Sequence, residues 1–424
     1  MKNRYRSRML RLVAGLAATL WLTVCAQAAA EYITLRTFNP NSGGGIPYGG
    51  LLADQAGNLY GANSAGGTGN WGTIFELTPN GQQGWNYSVL YDCGTTTDCA
   101  VPMGSLAMDQ AGNLYGVTYF GNVFEITHSG SEGWTATVLH AFTGGLDGVA
   151  PSPLILDAAG NLYGTNATGG RDNLGYVFEL SISEGRWSLI HLYDFTGRDG
   201  VETTNTAGGQ VAALIQDASG ILYGTTSLGG TSTKCKGGCG VVFELKNDSG
   251  TWSETVLHSF TGSDGSNLDA ALLMDAAGNL YGTATGGGAN GLGVVFEMSQ
   301  SSGIWQTRVL HSFTGLRQDG AYPNSALVMD TPGNLYGATF AGGGGLQSCQ
   351  VLTDVGCGVV FELSPTGTKW KTSILHAFSG GIDGAFPGGV ILDTEGNLYG
   401  GAESGGQMFD GLVFKIASAT SAIQ

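Results

Sequence analysis

Seven copies of the phrase Asp-x-x-Gly-(Asn)-Leu-Tyr-Gly punctuate the chain, with tyrosines at Tyr60, Tyr115, Tyr163, Tyr223, Tyr281, Tyr336 and Tyr399. The aspartate always stands six residues earlier: Asp54, Asp109, Asp157, Asp217, Asp275, Asp330 and Asp393. A Gly-x-Val-Phe-Glu-Leu type segment follows each copy, with phenylalanines at Phe75, Phe124, Phe178, Phe243, Phe296, Phe361 and Phe414. Six of these lead to a tryptophan (Trp85, Trp134, Trp187, Trp252, Trp305, Trp370). Eight residues further on a Val-Leu-His-Ser-Phe type segment ends at Phe142, Phe195, Phe260, Phe313 and Phe378, with Cys93 as the exception in the first unit. Successive tyrosines are 48 to 63 residues apart, a period that marks a propeller or a solenoid.

Each unit offers four strand candidates with β-branched or aromatic alternation. In the fifth they are 271–274, 279–285, 293–299 and 305–313, here lettered a to d. No apolar period of 3.6 residues occurs outside the N-terminus, and 74 glycines in 424 residues far exceed the average share of about 7%. The seventh unit has candidates for a (390–392), b (397–402) and c (411–416) but none for d, while residues 32–38 read as a strand d without a unit. The expectation is an all-β, seven-bladed β-propeller of four-stranded blades, its ring closed by the N-terminal strand, because closure removes exposed edges.

The repeats carry a family resemblance. Segments such as Val309–Gly315, Asp330–Gly337 and Gly358–Leu363 resemble the GloVer tandem repeat of bacterial exported proteins, over essentially the whole chain beyond the leader. The Asp-x-x-Gly-Asn-Leu-Tyr phrase is also similar to NHL-type propeller repeats. The resemblance implies a propeller-like repeat protein with no enzymatic activity. Family members often end in surface anchors, and the run to Ile423 and Gln424 reads as lacking one.

Lys2, Arg4, Arg6, Arg8 and Arg11 precede an apolar run from Leu12 to Val24 and the small-x-small triplet Ala26-Gln27-Ala28. This is the layout of a signal peptide over residues 1–28, leaving 29–424 as the propeller; Cys25 follows Val24, a poor fit to a lipoprotein box. A secreted, periplasmic or cell-surface location follows, with no membrane span. The formal net charge is −16, and the leader holds five of the 17 basic residues. So acidic a remainder argues against nucleic acid or an anionic membrane as partner. The six remaining cysteines form three close pairs, Cys93/Cys99, Cys235/Cys239 and Cys349/Cys357, and in an exported chain they are expected to be local disulfides without zinc. They read as loop staples rather than core.

Connections b–c and d–a share one face of an antiparallel blade. The a–b turn never changes length, whereas the distance from the strand-b tyrosine to the strand-c phenylalanine is 9 residues in unit two, 20 in unit four, 25 in unit six and 15 elsewhere. Variable loops on a rigid scaffold are where binding resides. The repeated aspartates read as turn formers. His140, His258, His311 and His376 share one strand-d position with Arg36, Tyr91 and Tyr193, an exchange that suits a cross-blade contact rather than a metal or a general base; His128 and His191 fall off the pattern. Asp147, Asp199, Asp264, Asp319 and Asp383 each precede glycine in a d–a loop. They read first as turn residues, with calcium the one cofactor that a ring of carboxylates leaves open; otherwise no cofactor is expected. Off-repeat loop residues Trp71, Tyr119, Phe120, Arg171, Asp172, Lys234, Lys236, Phe340 and Phe409 are the candidate ligand contacts.

No nucleophile elbow, zinc-protease motif or phosphate loop is present, and the glycine-rich stretch 286–293 lacks a following helix. The reading is an exported, monomeric, non-enzymatic propeller that binds an extracellular glycan or protein through its b–c/d–a face. The alternative is an extracellular hydrolase or lyase acting on a polysaccharide or lactone from the central channel. A purely structural envelope protein is the third.

Overall fold

In every repeat the Leu-Tyr-Gly phrase becomes strand b and the Val-Phe-Glu-Leu phrase becomes strand c. The computed structural model describes residues 30–418 apart from 40–42, 82–83, 95–97, 131–132, 202–211, 317–318, 345–348 and 350–355. The signal-peptide reading and Cys25 lie outside these residues. Seven antiparallel blade sheets follow one another along the chain, each with strands in the order a-b-c-d, and a separate two-stranded sheet pairs Gly320–Ala321 with Ala341–Gly342. In blade five these are Leu273–Met274, Leu280–Ala284, Val294–Ser301 and Ile304–Ser312.

Strand a is shorter here than the sequence predicts, pairing only Leu273 with Tyr281 and Met274 with Leu280. Asn267 turns the chain before it at a φ of 56°. The first blade adds Gly45–Pro47 beside strand b.

The glycine of Leu-Tyr-Gly is fixed by space. A Cβ on Gly282 would lie 2.5 Å from Cζ of Phe296 on the adjacent strand and 3.0 Å from Cδ2 of Leu272. The equivalents Gly61, Gly116, Gly164, Gly224, Gly337 and Gly400 meet the phenylalanine of their own strand c at 2.4 to 2.7 Å. Each of these rings fills the hollow that the missing side chain leaves, and each is fully buried. Burying such a side chain contributes about 1.5–3 kcal/mol, so the phrase in strand b and the phrase in strand c specify each other.

Strand d carries a bulge in every blade. Val309 pairs with Phe296 and His311 with Val295, leaving Leu310 unpaired. The same skip occurs at Leu35, Leu90, Leu139, Leu192, Leu257 and Leu375. A bulge re-aims the side chains around it, which gives the Val-Leu-His pattern its purpose.

The core lies in the seams. Seven clusters of buried side chains each draw on two successive blades, including one that joins Tyr399 and Val413 of blade seven to Leu51, Leu59, Phe75 and Leu77 of blade one. Across six seams the phenylalanine ending strand d packs against the strand-c phenylalanine of the next blade, with centroids 5.0 to 5.4 Å apart (Phe38–Phe75, Phe142–Phe178, Phe195–Phe243, Phe260–Phe296, Phe313–Phe361, Phe378–Phe414). At the seam between blades one and two, Cys93 stands in that place, bonded to Cys99, and both are fully buried beside Phe124.

The three disulfides join the expected pairs, with Cα atoms 5.2, 5.1 and 5.4 Å apart for Cys93–Cys99, Cys235–Cys239 and Cys349–Cys357. Their expected role as loop staples needs correction. Cys239, Cys349 and Cys357 also belong to inter-blade cores. The first described strand, Glu31–Thr37, pairs antiparallel with Leu412–Ala417 and stands as the fourth strand of blade seven.

Candidate functional site

On the b–c/d–a face the blades surround a cavity of about 610 Å³. Small-molecule sites span about 300–1,000 Å³. The wall comes from blades one, five, six and seven, and three positions of the repeat supply its chemistry. In five blades a non-glycine residue with φ between 53° and 57° turns the chain towards strand a: Ile46, Val101, Asn267, Tyr322 and Phe386. The residue two places on is Tyr48, Met103, Asp269, Asn324 and Gly388 respectively. Four of these five line the cavity. The third position lies four residues after the strand-b tyrosine; its occupants Thr285, Phe340 and Glu403 complete the wall.

The local geometry is held by backbone. Ser266 and Gly286 exchange amide–carbonyl hydrogen bonds at 3.0 and 2.9 Å, tying the d–a connection of blade five to its b–c loop. Gly287 is required there, since a Cβ would fall 2.4 Å from the Gly262 carbonyl oxygen. The glycine-rich stretch thus forms wall rather than a phosphate cradle. Phe340 stacks on Phe386 with centroids 4.7 Å apart, which fixes one aromatic side of the cavity.

Two carboxyls face this space. Burial pushes Asp269 up to about 6, against which the Thr285 hydroxyl, donating at 3.2 Å, pulls downward. Burial alone pushes Glu403 up to about 7. The Tyr48 phenol is raised by its own burial and by the nearby Glu403 carboxylate. Titrating groups moved towards neutrality within a cleft mark a functional candidate.

The residues singled out from the sequence fall elsewhere, with one exception. Phe340 lines the cavity. Trp71, Tyr119 and Phe120 gather at the rim of blades one and two, with Trp71–Phe120 centroids at 6.0 Å and Tyr119–Phe120 at 5.6 Å. Phe409 is exposed on blade seven. Arg171, Asp172, Lys234 and Lys236 are exposed on the b–c loops of blades three and four, where the Arg171 amide donates to Asp194.

The five loop aspartates are each engaged within their own loop. Asp264 accepts from the Thr261 amide and hydroxyl, both at 2.8 Å, and meets His258 Nε2 at 2.8 Å. Despite its burial these partners hold it down at about 2. Asp147 and Asp319 pair in the same way with His140 and His311, and Asp199 with Tyr193, while His376 Nε2 stands 3.3 Å from Asp383, which the Ser379 amide and hydroxyl hold. The calcium reading is corrected accordingly: the carboxylates are distributed over five seams, and among the described residues no three His, Cys, Asp or Glu side chains come together as a metal group. The histidines also reach across seams, as Thr372 Oγ1 lies 3.0 Å from His311 Nδ1. The turn aspartates are structural as expected; Asp275 accepts from the amides of Ala277 and Asn279, the Asn279 side chain and the Tyr281 hydroxyl.

Tyr48, Asp269, Asn324 and Glu403 were missed because they lie inside the repeat rather than in the irregular loops. The available signal was a change of residue type at an equivalent position. At the first, Met103 and Pro151 stand where Tyr48, Asp269 and Asn324 are polar; at the second, Ser64, Ala167 and Ser227 stand where blade seven has Glu403.

A sequence-family model described as the Gloeobacter/Verrucomicrobia repeat matches residues 22–205 and again 201–353. No curated protein matches the sequence at a significant level. Among solved structures, YCF48 from Cyanidioschyzon merolae is 12% identical over 92% of this chain and 99% of its own, with a TM-score of 0.52. The extracellular domain of BT4673 from B. thetaiotaomicron, described as a one-component system, is 13% identical at a TM-score of 0.52; the match covers 92% of this chain and 40% of that one. A gluconolactonase from Xanthomonas campestris is 14% identical over 72% of this chain and 86% of its own, with a TM-score of 0.41. At such identities the likeness to the first two is one of fold.

Proposed function

This chain belongs to the Gloeobacter/Verrucomicrobia repeat family, and from that premise we propose that it is an exported β-propeller which binds a glycan in the cavity of its b–c/d–a face. Export is supported by the basic, apolar, small-x-small leader and by three disulfides, which persist in oxidising compartments. The observation that carries the binding reading is the cavity itself: aromatic rings at Tyr48, Tyr322 and Phe340 stand beside carboxyl and amide groups at Asp269, Glu403, Asn267 and Asn324. Rings stack on sugar faces while carboxyls and amides take up hydroxyls, and a cavity of this size suits a chain end better than a protein surface.

A hydrolase acting on a polysaccharide or lactone is the second reading, favoured by the two carboxyls raised into the range of general acids and bases. One screen separates the two. The purified protein is incubated with a panel of polysaccharides and oligosaccharides, and both retention and products are followed. Retention without products supports the binder, turnover supports the hydrolase, and neither retention nor turnover across the panel refutes both.

A further inference from the structure

The cavity is lined by acceptors in excess of donors. Among its lining residues there is no Lys, Arg or His, although Asp269 and Glu403 both face it. The Thr285 hydroxyl lies 2.9 Å from the Asn267 carbonyl oxygen and 3.2 Å from Asp269 Oδ2, so its single proton is shared between them. Asn324 Oδ1 is buried without a hydrogen-bond partner. Buried acceptors of this kind cost stability until something donates to them. Asp269 and Asn324 share a repeat position where other blades carry Met103, Pro151 or Gly388, and Glu403 stands at a second position where other blades carry Ser64, Ala167 and Ser227, so the polarity is local to this side of the channel.

We propose that the cavity selects a sugar bearing a protonated amine, with Asp269 and Glu403 receiving the ammonium and Asn324 Oδ1 accepting from a neighbouring hydroxyl. This rests on the glycan-binding reading and specifies its ligand class. An ammonium supplies three donors and the charge that the wall lacks, whereas a uronate would bring a third carboxylate into a site with no cation. The low proportion of basic residues, 17 against 33 acidic, adds a long-range attraction for cations. A neutral sugar satisfies the acceptors through hydroxyls alone and forgoes the charge-assisted bonds, worth roughly a tenfold or larger difference in affinity.

Calorimetric titration of the full chain with short oligomers of glucosamine, of N-acetylglucosamine and of galacturonic acid tests this near neutral pH. The expected result is that the glucosamine oligomer binds at least about tenfold more tightly than its acetylated counterpart, with the uronate weakest. The preference should collapse in Glu403→Gln and Asp269→Asn, whose folding is checked by thermal melting. Added salt should shrink the preference in the unaltered protein, a readout that does not depend on the variants. Equal binding of the amine and acetylated oligomers, or preference for the uronate, overturns the amine assignment while leaving glycan binding intact. Failure of all three to bind overturns the amine assignment, and the wider polysaccharide panel then decides the glycan reading on its own.

Discussion

Tyr32 lies flat on the imidazole of His376, with ring centroids 3.9 Å apart and planes within 14°, and its hydroxyl donates to the Asp383 carbonyl oxygen at 2.6 Å. Four residues on, the Arg36 guanidinium sits 4.2 Å from the centroid of the Tyr87 ring in blade one. One short strand therefore touches blade six through Tyr32 and blade one through Arg36 while pairing with blade seven. We expect the ring to depend on it. Deleting residues 31–37 should lower the melting temperature by about 10 °C or abolish cooperative unfolding, whereas deleting the exposed residues 171–173 should shift it by far less. A truncated chain that melts like its parent would show that the other three strands close the ring unaided.

The fit of Gly282 against Phe296 predicts a coupled pair. Gly282→Ala should cost about 1–3 kcal/mol by overpacking. Phe296→Leu alone should be costly as well, but the double variant should fall short of the sum, since the smaller side chain makes room for the added methyl. Denaturant unfolding of the four proteins measures the coupling; additive losses would mean that the two phrases of the repeat do not specify each other.

Reduction should act on the seams. Each bridge closes a short loop, worth roughly 2–2.6 kcal/mol in the chain-entropy account. Cys93 and Cys99 also fill the place that Phe–Phe packing takes at six other seams. Replacing both by serine should therefore destabilise the protein more than the equivalent change at Cys235 and Cys239, as measured by thermal melting. Non-reducing peptide mapping should recover the three local pairs.

Glu403 gives stability a pH dependence of definite sign. Its carboxyl moves from an ordinary value of 4.5 to about 7 on folding, so between these values the unfolded chain holds fewer protons than the folded one. Its contribution to stability is full below about pH 4.5 and is lost as pH rises to about 7. Glu403→Gln should consequently melt higher than the parent at about pH 8, by about 2 °C, with the difference gone near pH 4. Asp269→Asn should behave alike, with its window ending at about pH 6. A difference that grows on acidification would contradict the burial of these carboxyls.

The fold was legible because repetition averages out local ambiguity. Seven copies of Leu-Tyr-Gly and Val-Phe-Glu-Leu mark strands b and c, and the spare strand at 32–38 marks the position that Glu31–Thr37 occupies in blade seven. The bulges at Leu310 and its equivalents were not legible, since alternation alone cannot say which residue a ladder will skip. Attention to the irregular loops reached one wall of the cavity, through Phe340. It missed Asp269 and Glu403 because each occupies a position that other blades fill with uncharged residues of ordinary structural use. Their chemistry arises only where the ring brings separate blades around one space. Loop aspartates such as Asp264 had the opposite fate, looking like a ring of ligands in sequence while each is held within its own loop, Asp264 by His258 and Thr261.

The central claim, that the cavity on the b–c/d–a face is the binding site, is tested most directly by titrating one retained oligosaccharide, at one pH, against three proteins that are each shown to be folded at the temperature of the titration. These are the parent, Glu403→Gln and Phe409→Ala, whose ring is exposed on the same blade outside the cavity. Binding that weakens by about tenfold or more in Glu403→Gln and is unchanged in Phe409→Ala is the predicted result. Binding that survives Glu403→Gln intact and is lost with Phe409 would contradict it and move the site to the outer loops.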